Sequence, residues 1–491
     1  MAVRFPAALA LLLPAIAFAA PVAPDQLRRH IEILASDDFE GRAPGTEGEA
    51  KTVRYIAGQF RAVGLEPAGA DGGWYQPLVL AVRKPVSQRM RLRGRDSTGE
   101  VDPGGLILIG ASADERVRDA PLVFAGHGAV LADRGIDQLA GAPLKDAVVL
   151  ILYDAPDIPG FPGFAERVQA VAERGAAAVI GIVGDDIPWP AVGEYYRAGQ
   201  LRLDIEPAAP IQGVISQPAA EQLVRAGGGD LAGLLNDVPG PAFTARTLGL
   251  RVSLEVATDV RRITTNNVVG RLRGRGGTGQ SLLYLGHWDH FGICRPAGEA
   301  DRICNGAVDN ASGIAALIEV ARGLAAGRRP KRDILFLATT AEEAGLLGAQ
   351  YFASRPPVPL ASIVAALNLD TVAIAGRGAK VAVIGRGVPA LDALIEEAAR
   401  EQGREIDRDA EADEYVERQD GWALARAGVP SAMVGGAFSD MARLNAFLNG
   451  PYHQPGDDLG RPLILGGAAE DADLLIALGR KLADPARYQR P

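Results

Sequence analysis

The amino-acid sequence predicts an α/β fold: a central mixed, mostly parallel sheet flanked by helices, interrupted by a small β-rich α+β insertion. Three observations carry this. From about residue 245 onward, the near-continuous apolar runs SLLYLG, DILFLATT, SIVAALNL, KVAVIG and SAMVG read as strands buried on both faces. Helical segments from Ala311 to Ala326, Pro389 to Glu401 and Ala468 to Leu482 alternate with them, the pattern of strands joined by crossover helices. Between about 112 and 240, shorter runs, APLVFAG, DAVVLILYD and AAVIGIVGD, surround the helix-like FAERVQAVAERGA among Gly and Pro, which marks a compact inserted module.

Taken in order, the first segment has a basic start at Arg4, an apolar stretch from Ala7 to Phe18 broken by Pro14, and an AxA-like end at Ala19. Residues 1–19 are therefore expected to be a secretory leader. The stretch is too short for a spanning helix and no stable membrane anchor is expected, which fits an exported protein of a bacterial periplasm or medium. From Asp25 to about Phe60, Leu27, Ile31, Leu34, Val53, Ile56 and Phe60 recur at helical spacing around the loop GRAPGTEGEA. Residues 20–111 are then the front of the main domain, 112–240 the insertion and 241–491 the catalytic part. The Gly/Pro-rich stretch from Gly227 to Pro241 reads as a return linker, after which RTLGLRVSLEVATDV starts a new β run.

Composition narrows the chemistry. Lys and Arg number 51 against 60 Asp and Glu, a net charge of −9 over 491 residues, which argues against nucleic acid or an anionic membrane as partner. With 2 Cys and 5 His, a thiolate-rich zinc module or an iron–sulfur centre is excluded, and any metal must use imidazole and carboxylate. The run Gly274 to Gly279 fits GxGxxG, yet it precedes a strand and opens no helix, so no dinucleotide site is expected. Neither the GxSxG elbow nor HExxH is present.

In open α/β sheets chemistry collects beyond the carboxyl ends of the strands. There stand His287 and Asp289 after SLLYLG, Glu342 and Glu343 after DILFLATT, and Asp370 after SIVAALNL, while Asp309 precedes a helix and His453 lies in the turn-rich GPYHQPGDD. Taken singly, Asp309 is also a plausible helix cap, Glu342 and Glu343 a dipole-favoured acidic pair, and Asp370 or His453 a turn residue. Taken together they suit two divalent ions sharing Asp309, one also held by His287 and Asp370 and the other by His453 and Glu343. Three ligand carboxylates against four positive charges leave room for a bridging hydroxide. Glu342 is then free to act as general base and acid, and Asp289 is placed to accept the second N–H of the His287 imidazole.

The runs GHWDHFG, NGAVDNASGIAALIEVAR, ATTAEEAGLLGAQYF, LNLDTV and YHQPGDD resemble, in order, the motifs of the co-catalytic zinc aminopeptidase family, family twenty-eight of clan MH. The front segment ILASDDFEGRAPGTEGEAKTVRYIAGQFRAVGLEPAG is similar to that family's start. APLVFAGHGAVLADRGIDQLAG with LKDAVVLILYD resembles its inserted protease-associated domain. The resemblance implies a zinc-exopeptidase-like fold with His287, Asp309, Glu343, Asp370 and His453 as metal ligands, Asp309 bridging. It further implies Glu342 as the catalytic carboxylate and Asp289 as the group that orients the His287 imidazole. The expected cofactor is two zinc ions per chain, with manganese or cobalt as alternatives, and the expected substrates are peptides with a free N-terminus. A carboxypeptidase, a glutamine cyclase and a non-catalytic binding ectodomain are the alternatives on this scaffold. Where members carry RSDHxPF, this chain has Arg418-Gln419-Asp420-Gly421-Trp422-Ala423-Leu424. His290 follows a common family pattern, but it is read as a packed or loop histidine. Cys294 and Cys304, in the loop between His287 and Asp309, are expected to form a disulfide in an exported protein.

Overall fold

A computed structural model describes residues 20–95, 98–131, 134–156, 158, 160–205, 209–238 and 243–491; the leader reading falls on residues 1–19, outside the described residues. Among the described residues no helix is long and apolar enough to cross a membrane. The chain forms two compact units, one made by the chain up to Leu78 and from Thr264 to Pro491, the other by Val79–Ile263.

The first unit is built on a mixed sheet. Its strands run in the order Ala382–Ile384, Ser431–Gly435, Ile363–Asn368, Ser281–His287, Asp333–Thr339 and residues 268–272 of the strand Arg246–Leu272. The four central strands are parallel and both outer ones antiparallel. The apolar runs are continuous because both faces are covered. Leu282 and Tyr284 pack into one core beneath the helices Pro24–Leu34, Gly313–Ala326 and Leu465–Leu482, while Leu283 and Leu285 join Phe352 and Leu424 in the core on the other face. Alternation of side chains across a strand makes this division automatic. The front segment supplies two helices. Pro24–Leu34 starts with proline at its first position and buries Leu27, Ile31 and Leu34; Glu47–Ala62 is capped by Thr46, whose hydroxyl accepts the Glu49 N–H at 3.3 Å. A buried His30–Glu319 contact of 2.9 Å ties the first of these to the central helix.

The second unit has its own sheet, in the order Leu106–Gly110, Ile211–Ser216, Ala178–Val183, Val148–Leu152, Asp114–Phe124 and residues 246–257, with a parallel centre. Here too Val148 and Leu150 face one core and Val149 and Ile151 the other. This unit is wider than the segment 112–240 expected for the insertion. Tyr75–Arg93 pairs with Gln200–Leu203, Leu106–Gly110 with Ile211–Ser216, and residues 246–257 with Asp114–Phe124, so ladder hydrogen bonds draw both flanks in. The stretch from Gly227 to Pro241 is not simply a linker. It contains the helix Leu231–Asp237, whose Leu231 and Leu234 are buried and whose N-terminus is capped by Asp230 accepting the Gly233 N–H at 3.0 Å.

Candidate active site

The parallel strands of the first unit end on a common rim. His287 is the last residue of its strand, Glu342 and Glu343 follow Asp333–Thr339 after the left-handed Ala341 (φ 53°), and Asp370 stands two residues past Ile363–Asn368. Asp309 lies in an irregular turn, Ala307–Ser312, that feeds the helix Gly313–Ala326, so it is presented by a loop and caps nothing. His453 sits in a turn with φ 58°.

These side chains meet. Nε2 of His287 lies 3.3 Å from Asp309 Oδ1, 3.5 Å from Asp370 Oδ1 and 3.9 Å from Glu342 Oε2. Nε2 of His453 lies 3.4 Å from Asp309 Oδ2 and 3.1 Å from Glu343 Oε2. Asp309 thus turns one oxygen to each imidazole. Although two carboxylate oxygens stand within 3.5 Å of it, the buried His453 Nε2 makes no hydrogen bond. Ligand atoms about 2.0–2.1 Å from a tetrahedral ion are about 3.3 Å from one another. The contacts of 3.1 to 3.5 Å match that spacing, and the 3.9 Å of Glu342 sets it apart. The residues present therefore fit metal ions, and His287, Asp309 and Asp370 form one group able to hold an ion.

The electrostatics follow from crowding carboxylates out of water. Burial raises Glu342 well above the usual carboxylate range, with Glu343 and Asp370 adding repulsion, and burial pushes Asp289 up to about 7. Burial works against a charged His287, yet Glu342, Asp370 and Asp309 drive its pKa well above the ordinary value. Asp309 would also be raised by burial, but the His287 and His453 rings hold it well below the usual carboxylate range.

Asp289 has a different task from the one expected. The His287 Nδ1 is 3.2 Å from the main-chain carbonyl of Asp289 and 3.9 Å from its carboxylate, which instead accepts the N–H of Glu342 at 3.1 Å and of Glu343 at 3.4 Å. It fixes the turn that carries both glutamates.

Other residues position this site without any sequence signal having singled them out. Asn310 donates to the carbonyls of His287 at 3.3 Å and Leu369 at 3.1 Å, while its Oδ1 accepts the N–H of Gly313 at 2.9 Å and Thr371 at 3.2 Å, joining three loops that carry site residues. Asp457, four residues after His453, accepts the amides of Val308 and Asp309 at 3.0 Å each. Arg42 is 1 % exposed and donates to the carbonyls of Leu34, Trp288, Asn305 and Gly306, which binds the His287 loop to the Asp309 loop. The turn bearing Arg42 passes so close to the next hairpin that a Cβ on Gly41, at φ 63°, would fall 2.8 Å from the Gly292 carbonyl; only glycine fits. That hairpin pairs Gly292–Ile293 with Ile303–Cys304 and carries a Cys294–Cys304 disulfide, Cα to Cα 5.8 Å. The departing segment also reaches the site: Asp420 accepts the Thr339 hydroxyl, keeps its other oxygen buried without a partner, and is raised to about 6 by burial.

Compared with known proteins, residues 267–470 match the family described as Peptidase family M28. A probable glutamate carboxypeptidase of Arabidopsis thaliana is 27 % identical over 405 residues, 72 % of this chain and 51 % of that protein. A probable zinc metalloprotease of Pyrenophora teres f. teres is 36 % identical over 110 residues, 22 % of this chain and 23 % of that one. The chain thus matches about half the length of the first of these relatives and about a quarter of the second. Among solved structures, an aminopeptidase from Aneurinibacillus sp. strain AM-1 has a TM-score of 0.49 at 18 % identity, covering 93 % of each chain. A zinc aminopeptidase from Bacillus subtilis has 0.47 at 18 %, covering 96 % of this chain and 97 % of that one. His287, Asp289, Asp309, Glu342, Glu343, Asp370 and His453 all fall inside the matched segment, and residues 267–470 are a domain of peptidase family M28.

Proposed function

We propose that this chain is an exported, zinc-dependent aminopeptidase that removes the N-terminal residue of peptides. The observation that carries the reading is the shared Asp309, one oxygen toward each imidazole at ligand spacing, with Glu342 held just outside. His287, Asp309 and Asp370 would hold one zinc ion and His453, Glu343 and Asp309 a second. Bound there, zinc polarises the scissile carbonyl and acidifies the attacking water.

The chain's own residues do the rest. Glu342 takes a proton from the water at its carboxylate and returns it to the leaving amine, a role helped by burial, which raises its pKa well above the usual carboxylate range. Asp289 keeps the glutamate turn in place through the two amides it accepts. The direction of cleavage follows from charge. Beyond the three carboxylates that the ions would neutralise, Glu342 and Asp289 remain on the rim, and the nearby Arg42 gives its donors to main-chain carbonyls, which supports a site for the ammonium of a free N-terminus. One observation favours a carboxypeptidase: the Arg295 guanidinium hydrogen bonds Gln454, next to His453, where a substrate carboxylate could meet it. We read Val79–Ile263 as a protease-associated type of insertion serving substrate access; the groups able to hold an ion, among the described residues, all lie in the other unit.

The test is zinc content per chain together with cleavage of paired peptides, one N-acetylated and one C-amidated. Two zinc ions with cleavage of the amidated peptide alone support the aminopeptidase. Cleavage of the acetylated peptide alone supports the carboxypeptidase, and a chain without zinc or cleavage overturns both.

A further inference from the structure

His290 lies three residues past His287, and its imidazole is 0 % exposed. Its Nδ1 is 2.6 Å from Glu343 Oε1. That is a hydrogen-bond distance, well short of the roughly 3.3 Å that separates two ligands of one tetrahedral ion. The other oxygen of Glu343 is the one that faces His453, at 3.1 Å. The ring is locked in place. A Cβ on Gly306 would lie 2.7 Å from it, and Phe291 meets it edge-on at 5.1 Å between centroids. Nε2 is buried with no partner, so the neutral ring with its proton on Nδ1 leaves a bare lone pair there and avoids a stranded N–H.

We propose that His290 is a positioning residue for the second ion: its Nδ1–H holds Oε1 of Glu343, so that Oε2 alone is presented beside His453 and Asp309. This rests on the two-ion reading above. It assigns a task to a histidine that counts as one of a ligand-capable trio with Asp309 and Glu343, and separates it from the ligands by distance. A carboxylate fixed in one rotation offers a single, preorganised donor; released, it swings between orientations and the ion loses affinity.

Two substitutions separate the positions of the two ring nitrogens. In His290→Asn the amide nitrogen can occupy the place of Nδ1; in His290→Gln it reaches the place of Nε2 instead. The experiment is zinc titration of the full chain in competition with a chromophoric chelator, with thermal unfolding of the zinc-free proteins as a control for folding. The wild type is expected to bind two ions. H290N should bind both within a fewfold of wild type, whereas H290Q should keep the first affinity and lose about 10- to 100-fold on the second. H290Q binding both ions as tightly as the wild type, or H290N falling as far as H290Q, overturns the assignment. A wild-type chain that binds fewer than two ions overturns the underlying reading, and this inference with it.

Discussion

Both units place a rim at the ends of parallel strands and fasten it with a buried arginine. In the first, Arg42 donates to Leu34, Trp288, Asn305 and Gly306; in the second, Arg167, also 1 % exposed, donates to the carbonyls of Pro162, His127, Leu152, Tyr153 and Asp154. Burial lowers both guanidinium pKa values to about 10, and both stay charged. The second rim opens on a cavity of about 280 Å³ lined in part by His127, Asp154, Asp186 and Gln217. Polar groups are present there, but His127 turns its Nδ1 to the Asp154 carbonyl at 3.3 Å and its ring edge to Phe161. In the first unit two imidazoles and three carboxylates converge on shared points instead. A parallel-strand rim and an arginine clamp are scaffold; chemistry begins where unlike side chains are aimed at one another.

The largest expected effect falls on the group that the first rim has and the second lacks. Glu342→Gln should lower turnover by about 10²- to 10⁴-fold, because acid–base catalysis is lost while the carboxylate and imidazole spacing persists. Zinc content should stay at the wild-type value. Near-native turnover with intact zinc would break the contrast by removing Glu342 from its role.

The two arginines form a matched pair. Replacing either with methionine keeps much of the volume but strands several buried carbonyls, at a cost of about 3 kcal/mol or more in each case. Arg42→Met should also weaken zinc binding, since the His287 and Asp309 loops lose their tie. Arg167→Met should destabilise its own unit and leave zinc affinity unchanged. Equal loss of zinc affinity in both variants, measured by chelator competition, would erase the distinction between the two clamps.

What the sequence made legible divides along the same line. His287, Glu342, Glu343 and Asp370 could be located because each follows a strand whose apolar run is continuous, so that strand ends are visible as the point where polarity returns. Asp309 and His453 needed motif order as well, being carried by irregular turns. Arg42, Asn310 and Asp457 were illegible because the contacts by which they join the site's loops run to main-chain groups distant in the chain, as in Arg42 to Gly306 across 264 positions or Asn310 to Leu369 across 59. No local pattern encodes such a contact. His290 was read as a packed or loop histidine; it is packed, and its Nδ1 also meets Glu343. The second unit extends beyond 112–240 for a related reason: the strand pairing of residues 80–83, 106–110 and 246–257 leaves no mark on composition.

Ligand binding should sharpen the contrast further. If zinc sits only on the first rim, saturating it at about 100 times Kd adds about 2.7 kcal/mol to the stability of the folded state there. Hydrogen exchange should slow at amides near Asp309 and Glu342 and remain unchanged in the strands Val148–Leu152 and Ala178–Val183. Equal protection in both places would show an ion bound to the second unit as well.

The smallest effect is in pH, where the two units should move in opposite directions once zinc is removed. In the first, burial raises Asp289 to about 7 and Asp420 and Asp457 to about 6, above their unfolded values, so between about pH 4 and 7 the native state holds more protons than the unfolded chain. Stability then falls as pH rises through that window. His453, raised to about 9 by Asp309 and Glu343 against its burial, holds stability that is complete below about 6.5 and lost as pH rises through 9. The second unit responds the other way. Burial first, then Arg167, lowers the His127 pKa, so the unfolded chain takes up a proton below about 6.5 before the native state does, and stability is lost as pH falls. Acidifying the chelated protein from pH 7 to 5 should therefore strengthen protection around Asp289 and weaken it around His127, after correction for intrinsic exchange rates. Parallel changes in the two regions would mean that the buried carboxylates of the first unit are relieved by something other than zinc.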